Sequence, residues 1–89
     1  MPTLFHTPRF LKALEVIRRD EALGRRVRTA LERFEADIHH PGLNFEKLRG
    51  SDFHSLRVTR GVRVILSQDG PDAFVLVDVG GHDIYRRYG

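Results

Sequence analysis

Apolar residues recur every three or four positions through the first half of the chain and alternate, or run together, through the second. Residues 3–6, Thr-Leu-Phe-His, read as a short strand ending at Thr7-Pro8. Thr7 can accept from the first free amides of a helix, and Pro8 suits its first position because an N–H there would be unpaired anyway. Phe10, Leu11, Leu14 and Ile17 then form an apolar stripe, which predicts a first helix over about 8–19, roughly 18 Å long at 1.5 Å per residue. Asp20 is a second N-cap, and Leu23, Val27, Ala30, Leu31, Phe34 and Ile38 continue the period through a helix over about 21–38. Its polar side carries Arg25, Arg26, Arg28 and Arg33 with Glu32 and Glu35. His39-His40-Pro41-Gly42 stops it, since proline cannot continue a helix and glycine suits the exit.

Residues 43–52 read as a connection anchored by Leu43, Phe45 and Leu48, leaving Glu46, Lys47 and Arg49 free to project. Two alternating β-branched runs, about 53–59 and 62–68, flank a turn containing Gly61 and predict a hairpin. A two-residue loop, Arg60-Gly61, would set Val58 opposite Arg63 and join an apolar face to a charged one. A three-residue loop, Thr59-Arg60-Gly61, with Gly61 left-handed after a type I turn, removes the conflict. Val58 then faces Val62, Leu56 faces Val64, and Arg57 falls opposite Arg63 on the other side of the sheet. Asp69-Gly70-Pro71-Asp72 is a strong turn, and the apolar run 73–79 is a central strand ended by Gly80-Gly81. The tail, residues 82–89, is expected to pack against the sheet edge. The sum is an α+β fold in one domain over 1–89: an N-terminal strand, a helical hairpin, then an antiparallel sheet of three further strands. The helices cover the face of Leu56, Val58, Val62, Val64 and Leu66, and Arg57 and Arg63 share the open basic face.

Size and composition narrow what such a layer can do. A chain of 89 residues buries only about 60–65% of its unfolded surface, so a groove or open face is expected rather than a closed pocket. There is no cysteine, which excludes a disulfide framework, a thiolate nucleophile and a zinc knuckle, and suits a cytoplasmic protein. No apolar run approaches the roughly 20 residues that span a bilayer, and the N-terminus does not read as a signal peptide, so no membrane partner is expected. The net charge is +3, and thirteen of the fifteen basic residues are arginine. A guanidinium fork matches phosphate and carboxylate, so the bias favours RNA, DNA or an acidic protein as partner, although a GC-rich genome or simple solubility yields the same bias. His39 and His40 are adjacent and have no carboxylate at ligand spacing, so they read as an exposed helix end with no metal.

Four stretches together resemble the RelE/ParE superfamily of bacterial toxins from toxin–antitoxin pairs: Phe5-His6-Thr7-Pro8-Arg9-Phe10, Glu46-Lys47-Leu48-Arg49-Gly50, the hairpin Leu56-Arg57-Val58 with Val62-Arg63-Val64-Ile65, and Val79-Gly80-Gly81-His82-Asp83-Ile84-Tyr85-Arg86. The resemblance covers nearly the whole chain. It implies a RelE-like fold and a cognate antitoxin as partner. RelE-like members cut mRNA on the ribosome with neither metal nor cofactor, whereas ParE-like members poison DNA gyrase. On the nuclease pattern Arg63 binds phosphate, Glu46 is the general base, and His82 and Tyr85 supply the acid and a base-stacking ring. Lys47 and Arg49 stand near connector lysines that other members use, and Arg57 and Arg86 would add RNA contacts. Many relatives place histidine and then arginine before the aspartate. Here the residues are Gly81-His82, which leaves that register open by one residue; in an extended strand this would turn the imidazole away.

The chemistry asked of these residues is coherent. Cleavage needs the 2′-OH deprotonated, the charge on the phosphorane balanced and the leaving 5′-oxygen protonated. Arg63 and Arg57 can meet the second need, and Glu46 and His82 the others, at about 10²- to 10⁴-fold each. Stacking on Tyr85 is worth about 1–3 kcal/mol. Each role has a plainer counterpart: Arg57 and Arg63 can pair with Asp78, if Phe74 and Leu76 share its face; Glu46 can be a solvated connector charge; His82 can cap a strand end; Tyr85 can be packing. A gyrase poison without catalytic residues, or an inactive domain that only binds an antitoxin, remains open on the same sequence.

Overall fold

The computed structural model describes residues 2–88; Met1 and Gly89, the last residue of the expected tail, lie outside the described residues. The strands are β1 (Thr3–His6), β2 (Glu46–Lys47), β3 (Phe53–Arg57), β4 (Arg63–Gln68) and β5 (Ala73–Gly80), and the helices are α1 (Pro8–Ile17), α2 (Glu21–Ala36) and α3 (Tyr85–Tyr88). They form a mixed sheet in the order β1-β5-β4-β3-β2, with β1 parallel to β5 and every other pair antiparallel. Both predicted caps form: Thr7 Oγ1 accepts from Phe10 N at 3.1 Å, and Asp20 Oδ1 from Leu23 N at 3.1 Å. The helices end two residues earlier than the apolar period suggests, and Leu11 stays 48% exposed while Phe10, Ala13, Leu14 and Ile17 face the core.

One core lies between the helices and the sheet. Phe10, Val27, Ala30 and Phe34 pack on Leu56, Val64, Leu66, Phe74, Leu76 and Val79. Phe34 meets Phe74 edge-on at 4.9 Å between ring centroids, the favoured offset for two quadrupoles. Phe45 stacks on His54 at 4.9 Å at the rim of this core. His54 Nδ1 is buried and without a partner, and burial, followed by the nearby Lys47 charge, holds its pKa below the ordinary value. The unfolded chain therefore takes up this proton before the folded one does. Stability is held above about pH 6.5, the ordinary histidine value, and falls as pH drops through it. His54→Phe is expected to flatten that fall, as read from denaturation midpoints on either side of this pH.

The hairpin register is the predicted one, with Leu56 opposite Val64 and Arg57 opposite Arg63. Its turn is built differently. Gly61 is not left-handed; instead Thr59 Oγ1 accepts from both Gly61 N and Val62 N at 3.2 Å, so a side chain shapes the loop. The connection also contributes a short strand, β2, which makes the sheet five-stranded. The tail does not lie along the edge: a 3-10 turn (His82–Ile84) and α3 fold over the second face. There Ile84, Leu48 and Ile65 form a smaller core with Phe53, Val77, Tyr85 and Tyr88. That face is therefore open only where the tail does not reach.

Candidate functional site

Pairing across the strands sorts the candidate residues by face, because residues directly opposite one another point the same way. Ile65 belongs to the tail-side core, so Arg63, two residues earlier on β4, shares its face, and so does Arg57. Gly80 of β5 completes that rung. Glu46 pairs with Ser55, which is opposite Ile65, so Glu46 stands on the same face one rung away. Its Cα lies about 12 Å from that of Arg63 by strand spacing and rise, a gap that two long side chains can span across a bound group. Tyr85 packs on the floor of this face beside Ile65, half-buried.

Two residues after Gly80, His82 opens the 3-10 turn, exposed, with its ring 6.1 Å from that of Tyr85. Because this segment is helical, the alternation of an extended strand does not govern where the imidazole points. Arg49 and Arg86 are exposed on the β2–β3 turn and on α3. Lys47 pairs with His54 on the helix side of the sheet, away from Arg63.

The electrostatics of the rung turn on which oxygens its arginines meet. Arg63 Nη1 donates to the carbonyls of Thr59, Arg60 and Val62, folding the guanidinium over its own loop. Carbonyls orient the group and leave its unit charge uncompensated. Among the described residues the Arg57 side chain has neither a hydrogen bond nor an ion pair. Asp78, the carboxylate that could have neutralised the pair, is occupied elsewhere: its Oδ2 accepts from Arg9 Nε at 3.1 Å, Arg87 Nη1 at 3.4 Å and Tyr88 Oη at 2.8 Å.

Asp78 reaches that position through an irregularity that sequence alternation does not reveal. Ile65 pairs with Asp78 but Leu66 pairs with Leu76, so Val77 is an extra residue and the strand changes parity there. Phe74 and Leu76 point to the helices, yet Asp78 meets Tyr88 of the tail. Burial first, and then this hydrogen bond, raises the Tyr88 hydroxyl above its usual pKa.

No family model and no curated protein matches the sequence. Solved structures do match over nearly the full length. A metal-bound toxin from Helicobacter pylori shares 16% identity at a TM-score of 0.77, covering 94% of this chain and 98% of that one. A YoeB/ParE toxin from Agrobacterium tumefaciens shares 17% identity at a TM-score of 0.74, covering 90% and 98%. A chain of the heterotetrameric YoeB-YefM toxin–antitoxin complex from Staphylococcus aureus shares 13% identity at a TM-score of 0.72, covering 92% and 98%. The chain has the fold of these toxins, the fold expected of the RelE/ParE superfamily.

Proposed function

We propose that this chain is the toxin of a toxin–antitoxin pair and cuts ribosome-bound mRNA in the cytoplasm without a metal ion or other cofactor. The observation that carries the reading is the uncompensated Arg57–Arg63 rung, with Arg63 steered by carbonyls and the nearest buried carboxylate engaged by other partners. Like charges directly opposite cost tenths of a kcal/mol up to about 1, and an anion reverses that sign. A scissile phosphate seated there has Glu46 on the same face, Tyr85 on its floor and His82 at its rim.

In the proposed reaction Glu46 takes the 2′-OH proton, the 2′-oxygen attacks phosphorus, and the guanidiniums hold the equatorial oxygens as their charge grows. The P–O5′ bond then breaks as His82 gives its proton to the leaving oxygen, which leaves a 2′,3′-cyclic phosphate and a 5′-hydroxyl. An unstacked base lies on Tyr85, while Arg49 and Arg86 contact flanking phosphates. Lys47, on the helix side, takes no part in this scheme. The complex formed by the YoeB relative supports a protein antitoxin as the second partner.

The test is to add the purified protein to a reconstituted translation reaction and map the mRNA ends. Cleavage that needs the ribosome and leaves cyclic phosphate supports the nuclease. Intact message accompanied by DNA breaks at gyrase sites overturns it in favour of a gyrase poison, and no effect in either assay favours a domain that only binds an antitoxin.

A further inference from the structure

A second cationic site adjoins the first on the opposite side of the β3 edge. Strand β2 covers only His54 and Ser55, so the edge of β3 beyond them is free, and there it meets the later turns of α2. The hollow between them has a volume of about 240 Å³, with Ala30 and Leu43 in its floor and Arg26, Thr29, Arg33 and Arg57 around it. Arg26, Thr29, Ala30 and Arg33 are spaced three and four apart, which puts them on one stripe of the helix.

The carboxylates of α2 that line a groove keep to one side of the helix. The helix acids Glu21, Glu32 and Glu35 all line the larger groove on its other side, together with Arg25 and Arg28. The hollow itself has three arginines and no carboxylate. Among the described residues none of the three side chains makes a hydrogen bond or ion pair. Three unneutralised forks and a hydroxyl select an anion with several acceptor oxygens. The volume falls below the roughly 300–1,000 Å³ of small-molecule sites, so it suits one group of a longer ligand. Arg57 belongs to both places: it is the cross-strand partner of Arg63 and it lines the hollow.

From this continuity we infer that the Arg26–Arg33–Arg57 hollow binds a phosphodiester group of the same RNA strand whose neighbouring phosphate rests on Arg63. The inference rests on the proposed nuclease reading for the direction of the strand, but binding can be measured without cleavage. The sheet face thus holds the reacting phosphate, and the hollow holds the strand as it turns off the edge.

The probe is a short single-stranded oligoribonucleotide of mixed sequence, with affinity followed against salt for the wild type, Arg63→Ala and the double variant Arg26→Gln/Arg33→Gln. All three positions are solvent-accessible enough for their variants to fold, which thermal unfolding checks. Each phosphate neutralised on single-stranded nucleic acid contributes about 0.7 to the slope of log affinity on log salt, so the double variant, which gives up the one group held in the hollow, should lose about 0.7. Unchanged slope and affinity in the double variant overturn the inference, as does a wild type that binds no RNA at low salt. Weakened binding of an acidic peptide with RNA binding intact also overturns it and assigns the hollow to a protein segment. Loss in the double variant sustains it even if the reconstituted reaction shows no cleavage, whereas loss in Arg63→Ala alone leaves the nuclease reading in place without it.

Discussion

Asp78→Ala is expected to lower stability by about 3 kcal/mol and to free the C-terminal segment. The carboxylate is 3% exposed and joins three parts of the chain: Arg9 at the start of α1, Arg87 and Tyr88 of α3, and its own strand, where Oδ1 accepts from the buried Val79 N at 2.9 Å. Hydrogen bonds to a charged group are worth about 1.5–3 kcal/mol, and their loss weighs most where the remaining partner cannot reach water. Arg9 and Arg87 are well exposed and resolvate, so the cost falls mainly on Val79 N–H and the Tyr88 hydroxyl. For a domain of this size this amounts to a Tm lower by about 12–24 °C. Hydrogen exchange should rise first in residues 82–88, whose small core loses its tie to the sheet. The alkaline limb gives a separate signature. A raised Tyr88 pKa contributes stability below about pH 10, and that contribution is lost as pH climbs through the folded value. Asp78→Ala should shrink that alkaline loss and Tyr88→Phe should abolish it. An Asp78→Ala protein with wild-type Tm and a protected tail would show that the tie is idle.

The elements whose signal is local were legible in the sequence. Thr7-Pro8 and Asp20 each combine a side-chain acceptor with a helix start, and nothing distant competes for them. The hairpin register was legible for a different reason: a slip of one residue would bury Arg57 and Arg63 under the helices, so burial selects a single pairing. The turn was less so, because a threonine hydroxyl that takes both loop amides removes the need for a left-handed glycine. Strand β2 has two residues, too few to show any period, and forms because its backbone finds the edge of β3.

The site was legible as a list of residue types and not as a geometry. The parity change at Val77 is a property of the β4–β5 ladder, and without it Asp78 reads as a partner for Arg63 only if Phe74 and Leu76 leave the core. Arg63 finds its acceptors on a loop whose carbonyls carry no side-chain signature. The Arg26–Arg33–Arg57 hollow joins segments separated by the whole connector, so helix periodicity marks two of its arginines as an exposed polar stripe and says nothing of the third. Lys47 and Glu46 are neighbours in sequence yet lie on opposite faces, a consequence of the very strand that was too short to read.

Arg63→Ala is expected to reduce mRNA cleavage in the reconstituted reaction by about 10²- to 10³-fold, or about 2.7–4 kcal/mol of transition-state stabilisation. The figure is the one usual for deleting a preorganised donor, and the structure gives reason to treat Arg63 as such. Three carbonyls fix one end of the guanidinium, so little rotamer entropy remains to be lost when phosphate arrives, and no carboxylate must be displaced. Arg63→Lys separates charge from geometry. An ammonium keeps the field but cannot hold the loop carbonyls with one nitrogen while offering a second to phosphate, so recovery should be partial. Arg57→Ala should cost less, because Arg57 lacks the carbonyl anchor and acts chiefly by charge. Since Arg63 also ties the loop, unfolding midpoints must accompany the rates: a fall in cleavage that tracks Tm is a folding effect, while a fall at unchanged Tm belongs to the reaction. Cleavage by Arg63→Ala at the wild-type rate would remove the arginine rung from the chemistry altogether.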